Sequence, residues 1–238
     1  MRFTRLAALL PAALLATAVA SAAPPAAPPD AEYNPVTGKI ETVDQVPGAE
    51  IRHTIDGGPG QPDSSVLLTS DPAPDLAPRI AIGPDGSSWV VWWRDGGTGT
   101  VLLRRRTVEG SWTSELPISE PDESSSEPEI AHDGRRVFVV WIIDDGEGYD
   151  IAVRSGNGPT PWPTRNIIHR TWYRGPVDPD VHASDGNVWV TWTESATELG
   201  WSEFDYATES WSAPRFEPLD ESGRQGALSR IAEQVSAD

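Results

Sequence analysis

The chain has 238 residues, with 36 Asp and Glu against 18 Lys and Arg, a net charge of −18, and no cysteine. Such acidity argues against nucleic acid and anionic lipid as partners, because both are held by basic patches. Without cysteine there is no disulfide, no thiolate metal site and no cysteine nucleophile, so the domain rests on its core and topology.

The N-terminus reads as an export signal. Arg2 and Arg5 form a positive n-region, Leu6 to Ala20 an apolar run, and Ala20-Ser21-Ala22 an A-x-A cleavage site. Residues 1–22 are therefore expected to be a signal peptide, and the address secreted or periplasmic. The apolar run is shorter than the roughly 20 residues a membrane span needs, and no other stretch offers one. Residues 23–35 are rich in Pro and Ala and read as an extended linker.

From residue 36 onward short apolar or alternating runs are separated by Gly, Pro, Asp and Ser, which predicts an all-β domain over 36–238. A repeat organises it. Pro78-Arg79-Ile80-Ala81, Pro128-Glu129-Ile130-Ala131 and Pro179-Asp180-Val181-His182 start 50 and 51 residues apart. An Asp-Gly or Gly turn follows each, then a Val/Trp strand ending at Trp92, Trp141 or Trp192. A second tryptophan series, Trp112, Trp162 and Trp211, keeps nearly the same spacing. The Val/Trp strands are apolar on both faces, as strands sandwiched between two sheets must be. Four antiparallel strands per repeat describe the blade of a β-propeller.

The predicted blades cover 77–119, 127–169 and 178–219, with an incomplete one at 37–70. Ser229-Arg230-Ile231-Ala232 echoes Pro78-Arg79-Ile80-Ala81. The strand 229–235 is therefore expected to close the first blade, giving four blades and hiding the sheet edges. Two alternatives stay open. Leu228, Ile231, Ala232 and Val235 also fit a short amphipathic helix, and an open set of blades can complete its ring by dimerising.

The Pro-x-Ile-Ala strand, the Gly turn before a Val/Trp strand and the later Trp resemble the sialidase-like propellers built of bacterial neuraminidase repeats. Ser155-Gly156-Asn157-Gly158-Pro159-Thr160-Pro161-Trp162 is similar to that family's Asp-box, keeping the Ser and Trp, with Asn157 at the Asp position. The resemblance implies a propeller, and in that family the box is chiefly a fold feature. Arg79 matches the first arginine of the sialidase triad, but no second or third arginine and no tyrosine nucleophile can be assigned by motif. No catalytic residue is assigned.

Candidate ligand-binding residues come from the repeat itself. The residue after the strand-one Pro or Ser reads Arg79, Glu129, Asp180 and Arg230, and four such positions would meet at the propeller axis. They form either a polar binding site or a set of ion pairs holding the blades in register. Trp172, Tyr173 and Arg174 make the best exposed aromatic loop. The four histidines share no metal-ligand spacing. Asp144 to Asp150 is an acidic hairpin tip that offers only a weak Ca²⁺ site, and no other cofactor is expected. These readings predict an exported, monomeric or dimeric propeller that binds an extracytoplasmic glycan or protein without catalysis. The alternatives are a carbohydrate-active hydrolase or lyase and a remnant of a larger propeller.

Overall fold

The structure, a computed structural model, describes residues 29–158, 162–173, 177–184, 186–220 and 223–236. The signal-peptide reading of 1–22 lies outside them, as do Arg174 and the Asp185 of the third Asp-Gly pair. Four antiparallel sheets follow one another along the chain. The first comprises β1 (Asp30–Asn34), β2 (Lys39–Val46), β3 (Glu50–Ile55) and β4 (Ser64–Leu67). The second comprises β5 (Asp75–Ile82), β6 (Ser88–Arg94), β7 (Thr100–Arg106) and β8 (Leu116–Pro117). The third holds β9 (Ser125–His132), β10 (Val137–Asp144), β11 (Tyr149–Gly156) and β12 (Asn166–Thr171). The fourth holds β13 (Asp180–Ser184), β14 (Asn187–Ser195), β15 (Glu198–Asp205), β16 (Ser210–Trp211) and β17 (Arg215–Pro218), and α1 (Gly223–Val235) follows. No described helix is long and apolar enough to cross a membrane.

The sequence landmarks have local causes. Gly86, Gly134 and Gly186 all sit at positive φ, 83°, 90° and 84°, which explains the recurring Gly of the strand-one to strand-two turn. The Pro landmark is a bulge. Arg79 pairs with Val91 and Leu76 with Trp93, so Ala77 and Pro78 together face Trp92. In the third blade Glu127 and Pro128 face Trp141 in the same way. In the fourth, the Thr193 N–H donates to the Val177 carbonyl and Asp180 pairs with Thr191, leaving Asp178 and Pro179 opposite Trp192. Proline suits the extra residue because it has no N–H to place in the ladder. The residue before it is left-handed each time: Ala77 at 48°, Glu127 at 51° and Asp178 at 44°.

The core lies between blades. Trp89, Val91 and Leu103 of the second blade pack on Val137, Val139 and Trp141 of the third. Phe138, Val140 and Ile151 on the other side of the third blade pack on Val188, Val190 and Trp192 of the fourth. Trp92, Trp141 and Trp192 are fully buried, so recurrence of the indole reflects inter-blade packing. The first interface differs. Val43 and Ile51 meet Val90 and Trp92, but beside them Glu41, His53, Ser88 and Asn34 form a buried polar network. The Glu41 carboxylate accepts from His53 Nε2 at 2.7 Å, Ser88 Oγ at 2.5 Å and Asn34 Nδ2 at 2.7 Å. Burial pushes this carboxyl up, but those hydrogen bonds outweigh it and hold its pKa at about 2.

Two expectations are corrected here. The first blade owns its innermost strand, β1, which lies within the stretch read as linker. The 229–235 segment is not a closing strand: it belongs to α1. Ala227, Ile231 and Val235, spaced by four residues, are buried, and Ile231 and Val235 pack on Trp189 and Trp201 of the fourth blade. Residues four apart stand one turn above another on a single helix face, which lays this stripe on the blade.

Candidate functional site

The four innermost strands, β1, β5, β9 and β13, line one cavity of about 540 Å³ along the propeller axis. Asp30, Arg79, Glu129 and Asp180 occupy the same register position in the four blades, opposite Val43, Val91, Val140 and Thr191. Each follows a proline: Pro29, Pro78, Pro128 and Pro179. In blades 2, 3 and 4 the bulge directly precedes the charged residue, a place bulges near sites often take.

Three of the four ring residues named from the sequence meet as expected. Arg79 Nε donates to Glu129 Oε1 at 2.6 Å, and Asp180 shares with both a second cavity of about 410 Å³ at one mouth of the channel. Arg230 does not join them. Its guanidinium sits on the outer face of blade 4, bonded to Glu217 and, at 3.1 Å, to Asp220. The fourth position belongs to Asp30, whose carboxylate accepts the Ile80 N–H at 2.8 Å. Its sequence signal was the Pro29-Asp30 pair, 49 residues ahead of Pro78-Arg79.

The mouth is strongly acidic. Glu127, Glu129, Asp178 and Asp180 line it against Arg79 and Arg224. Arg224, on the first turn of α1, donates to the Asp178 carbonyl at 3.0 Å and to Thr193 Oγ1 at 3.1 Å, tying the helix to the rim. Burial pushes the Glu129 carboxyl up to about 7 despite the Arg79 ion pair, and the negative charges of Asp180 and Asp30 add to the rise. Burial, with Asp178 nearby, also raises Glu127. Deeper in the channel, His182 stacks on Trp189 at 5.3 Å and faces Asp180 Oδ2 at 3.5 Å. Burial holds its pKa below the ordinary value, with Asp180 opposing and Arg224 assisting. The mouth thus joins a carboxyl that is still partly protonated near neutral pH to neighbouring acidic groups, an acid/base combination.

The aromatic loop lies elsewhere. Trp172 is 63% exposed beyond the end of β12, with the Arg170 guanidinium 4.5 Å from its ring centre, and the Tyr173 N–H donates to Thr171 Oγ1 at 3.1 Å. At the acidic hairpin tip, the Asp145 carboxylate accepts the Glu147 and Gly148 N–H groups and pairs with Arg170. Among the described residues no three His, Asp or Glu side chains converge as a metal site would require.

No family profile and no curated protein matches the sequence. Solved structures do. The chain is similar to a GH32 β-fructofuranosidase of Bombyx mori in complex with sucrose, at 13% identity and a TM-score of 0.52, over 82% of this chain and 50% of that one. It is also similar to AofleA from Arthrobotrys oligospora, at 14% identity and a TM-score of 0.50, over 76% of this chain and 53% of that one. The chain thus spans about half the length of these structures. At such identities the likeness is one of fold, and the fold is a β-propeller.

Proposed function

We propose that the protein is a carbohydrate-active hydrolase working outside the cytoplasm, with its reaction centre at the acidic channel mouth. The observation that carries this reading is Glu129: a carboxyl raised to about 7, flanked by Asp180 and Asp30 and held in place by Arg79. Two carboxyl groups of opposite protonation are what glycoside hydrolysis requires. Glu129 donates its proton to the glycosidic oxygen as the bond to the anomeric carbon breaks. Asp180 accepts a proton from the attacking water, whose oxygen bonds to that carbon. Glu129 is then reprotonated from solvent. Arg79 positions Glu129 and limits its rise in pKa. The sucrose complex of the fructofuranosidase supports a saccharide as the ligand class. The likeness to sialidases extends only to the repeat landmarks, and the leader-like residues 1–22 support export.

A panel of aryl glycosides and oligosaccharides tests the proposal by release of reducing sugar. Glu129→Gln should lower turnover by about 10²–10⁴-fold while leaving the melting temperature nearly unchanged. The Arg79–Glu129 ion pair favours a second reading, a glycan-binding propeller without turnover. Binding on a glycan array with no hydrolysis of any bound sugar would establish it and overturn the hydrolase.

A further inference from the structure

We propose that a second site, on the propeller face opposite the acidic mouth, binds an anionic group: a carboxylate or a sulfate- or phosphate-type oxyanion. The acidic mouth opens where the innermost strands begin. The other face carries the turns leading out of those strands, among them Asp133–Arg136 between β9 and β10. Beneath that turn lies a cavity of about 360 Å³, within the range of small-molecule sites. Arg135, Arg136, Ser155, Asn157 and Trp162 line it, together with Gly156, Gly158 and Pro163. In a chain with twice as many acidic as basic residues, this cavity has two arginines in its wall and no carboxylate.

The arginines are held in place. The Arg135 guanidinium lies 5.0 Å from the Tyr206 ring centre, and Arg136 lies 5.6 Å from Phe204 and 5.8 Å from Tyr206. Stacking fixes the planar fork before a ligand arrives, and a fixed fork suits bidentate recognition of an oxyanion. Three acidic groups lie close by, and each is engaged. Asp133 accepts the N–H groups of Arg135 and Arg136 and the Tyr206 hydroxyl. Asp85 pairs with Arg105 at 3.1 Å. Glu209 makes one bond to Arg136 at 3.1 Å and is 68% exposed, so a ligand can displace it. Among the described residues Arg135 makes no ion pair. The floor is indole: a Cβ on Gly156 would lie 2.6 Å from the Trp162 ring, so glycine keeps backbone and ring in contact. Ser155 and Asn157 supply neutral polar groups beside the arginines.

A neighbouring cavity of about 310 Å³ shares Arg135 and Asn157 and is lined by Trp89, Arg105 and His132. His132 also lines the axial channel, so the anion site sits beside its lower opening. The proposal does not depend on the hydrolase reading, since none of its ligating residues belongs to the acidic mouth.

The test is titration of the full chain with sodium sulfate and with sodium glucuronate at constant ionic strength, read by tryptophan fluorescence and calorimetry, with glucose as the neutral control. We expect saturable binding of at least one anion. Arg135→Ala should weaken it about 10- to 100-fold, as loss of a charge-assisted hydrogen bond implies. Arg135→Lys should keep part of the affinity, and Glu129→Gln should leave it unchanged. Arg135 is exposed, so its variants fold, and their melting curves check this. Binding of sulfate alone assigns the site to free inorganic anions, whereas binding of glucuronate assigns it to acidic sugars. Absence of saturable binding by both anions, or equal affinity in wild type and Arg135→Ala, overturns the proposal.

Discussion

Blade 1 carries Asp44 where blades 2, 3 and 4 each place a fully buried tryptophan, Trp92, Trp141 or Trp192, against the preceding blade. Asp44 is bonded across the strands to Arg52, at 3.0 Å and 2.5 Å. Blade 4, at the other end of the series, keeps aromatic rings on its terminal face, Trp189 and Trp201, and covers them with α1. One end has been made polar and the other has been capped. The difference shows that the tryptophan of the repeat serves contact between neighbours and is replaced where the described residues supply no neighbour.

The same contrast extends to the faces pointing forward along the series. Trp89, Phe138 and Trp189 occupy one register position, opposite the second residue after the ring charge, and blade 1 holds Glu41 there. Its polar network with His53, Ser88 and Asn34 takes the place of that forward-facing ring, beside the Trp92 that blade 2 packs against blade 1.

The capped end gives the largest expected effect. Trp201→Ala should cost about 3–5 kcal/mol, the usual loss for a buried aromatic, measured by urea unfolding; a cost under about 1 kcal/mol would mean that α1 contributes no cover. The polar interface comes next, through its pH dependence. The Glu41 pKa is depressed to about 2 in the folded protein, against about 4.3 in the unfolded chain. Its contribution, about 3 kcal/mol, is present above the unfolded value and disappears as pH falls from about 4 to about 2. Glu41→Gln should flatten the acid limb of the stability curve, and an unchanged limb would place the acid sensitivity elsewhere. The polar end gives the smallest effect. Asp44→Ala should cost less than about 1 kcal/mol, as exposed ion pairs do, although the register position is that of Trp141.

How much of this was readable follows from the same substitutions. Blades 2 to 4 were legible because Pro, Gly and Trp mark a bulge, a left-handed turn and an inter-blade ring in each. Blade 1 was obscured because Asp44 and Glu41 replace two of its aromatic positions, and its first strand lies in a stretch that reads as linker. Only Pro29-Asp30 pointed to it. The C-terminal echo at Ser229 misled because Ser-Arg-Ile-Ala copies a strand over four residues, while the spacing of Ala227, Ile231 and Val235 operates over nine. Arg79, Glu129 and Asp180 were legible as a ring because they share a repeat position. The arginine cavity was not, since the rings that hold its arginines come from the next blade, with Tyr206 reaching Asp133 across 73 residues.

The acid/base assignment at the channel mouth rests on the protonation state of Glu129. A carbon-detected NMR titration of the side-chain carboxyls, with the Glu129 signal identified by its loss in Glu129→Gln, measures it without any substrate. The predicted midpoint is near 7, falling when Asp180→Asn removes a neighbouring negative charge. A midpoint near that of an ordinary glutamate, or one indifferent to Asp180, would contradict the account.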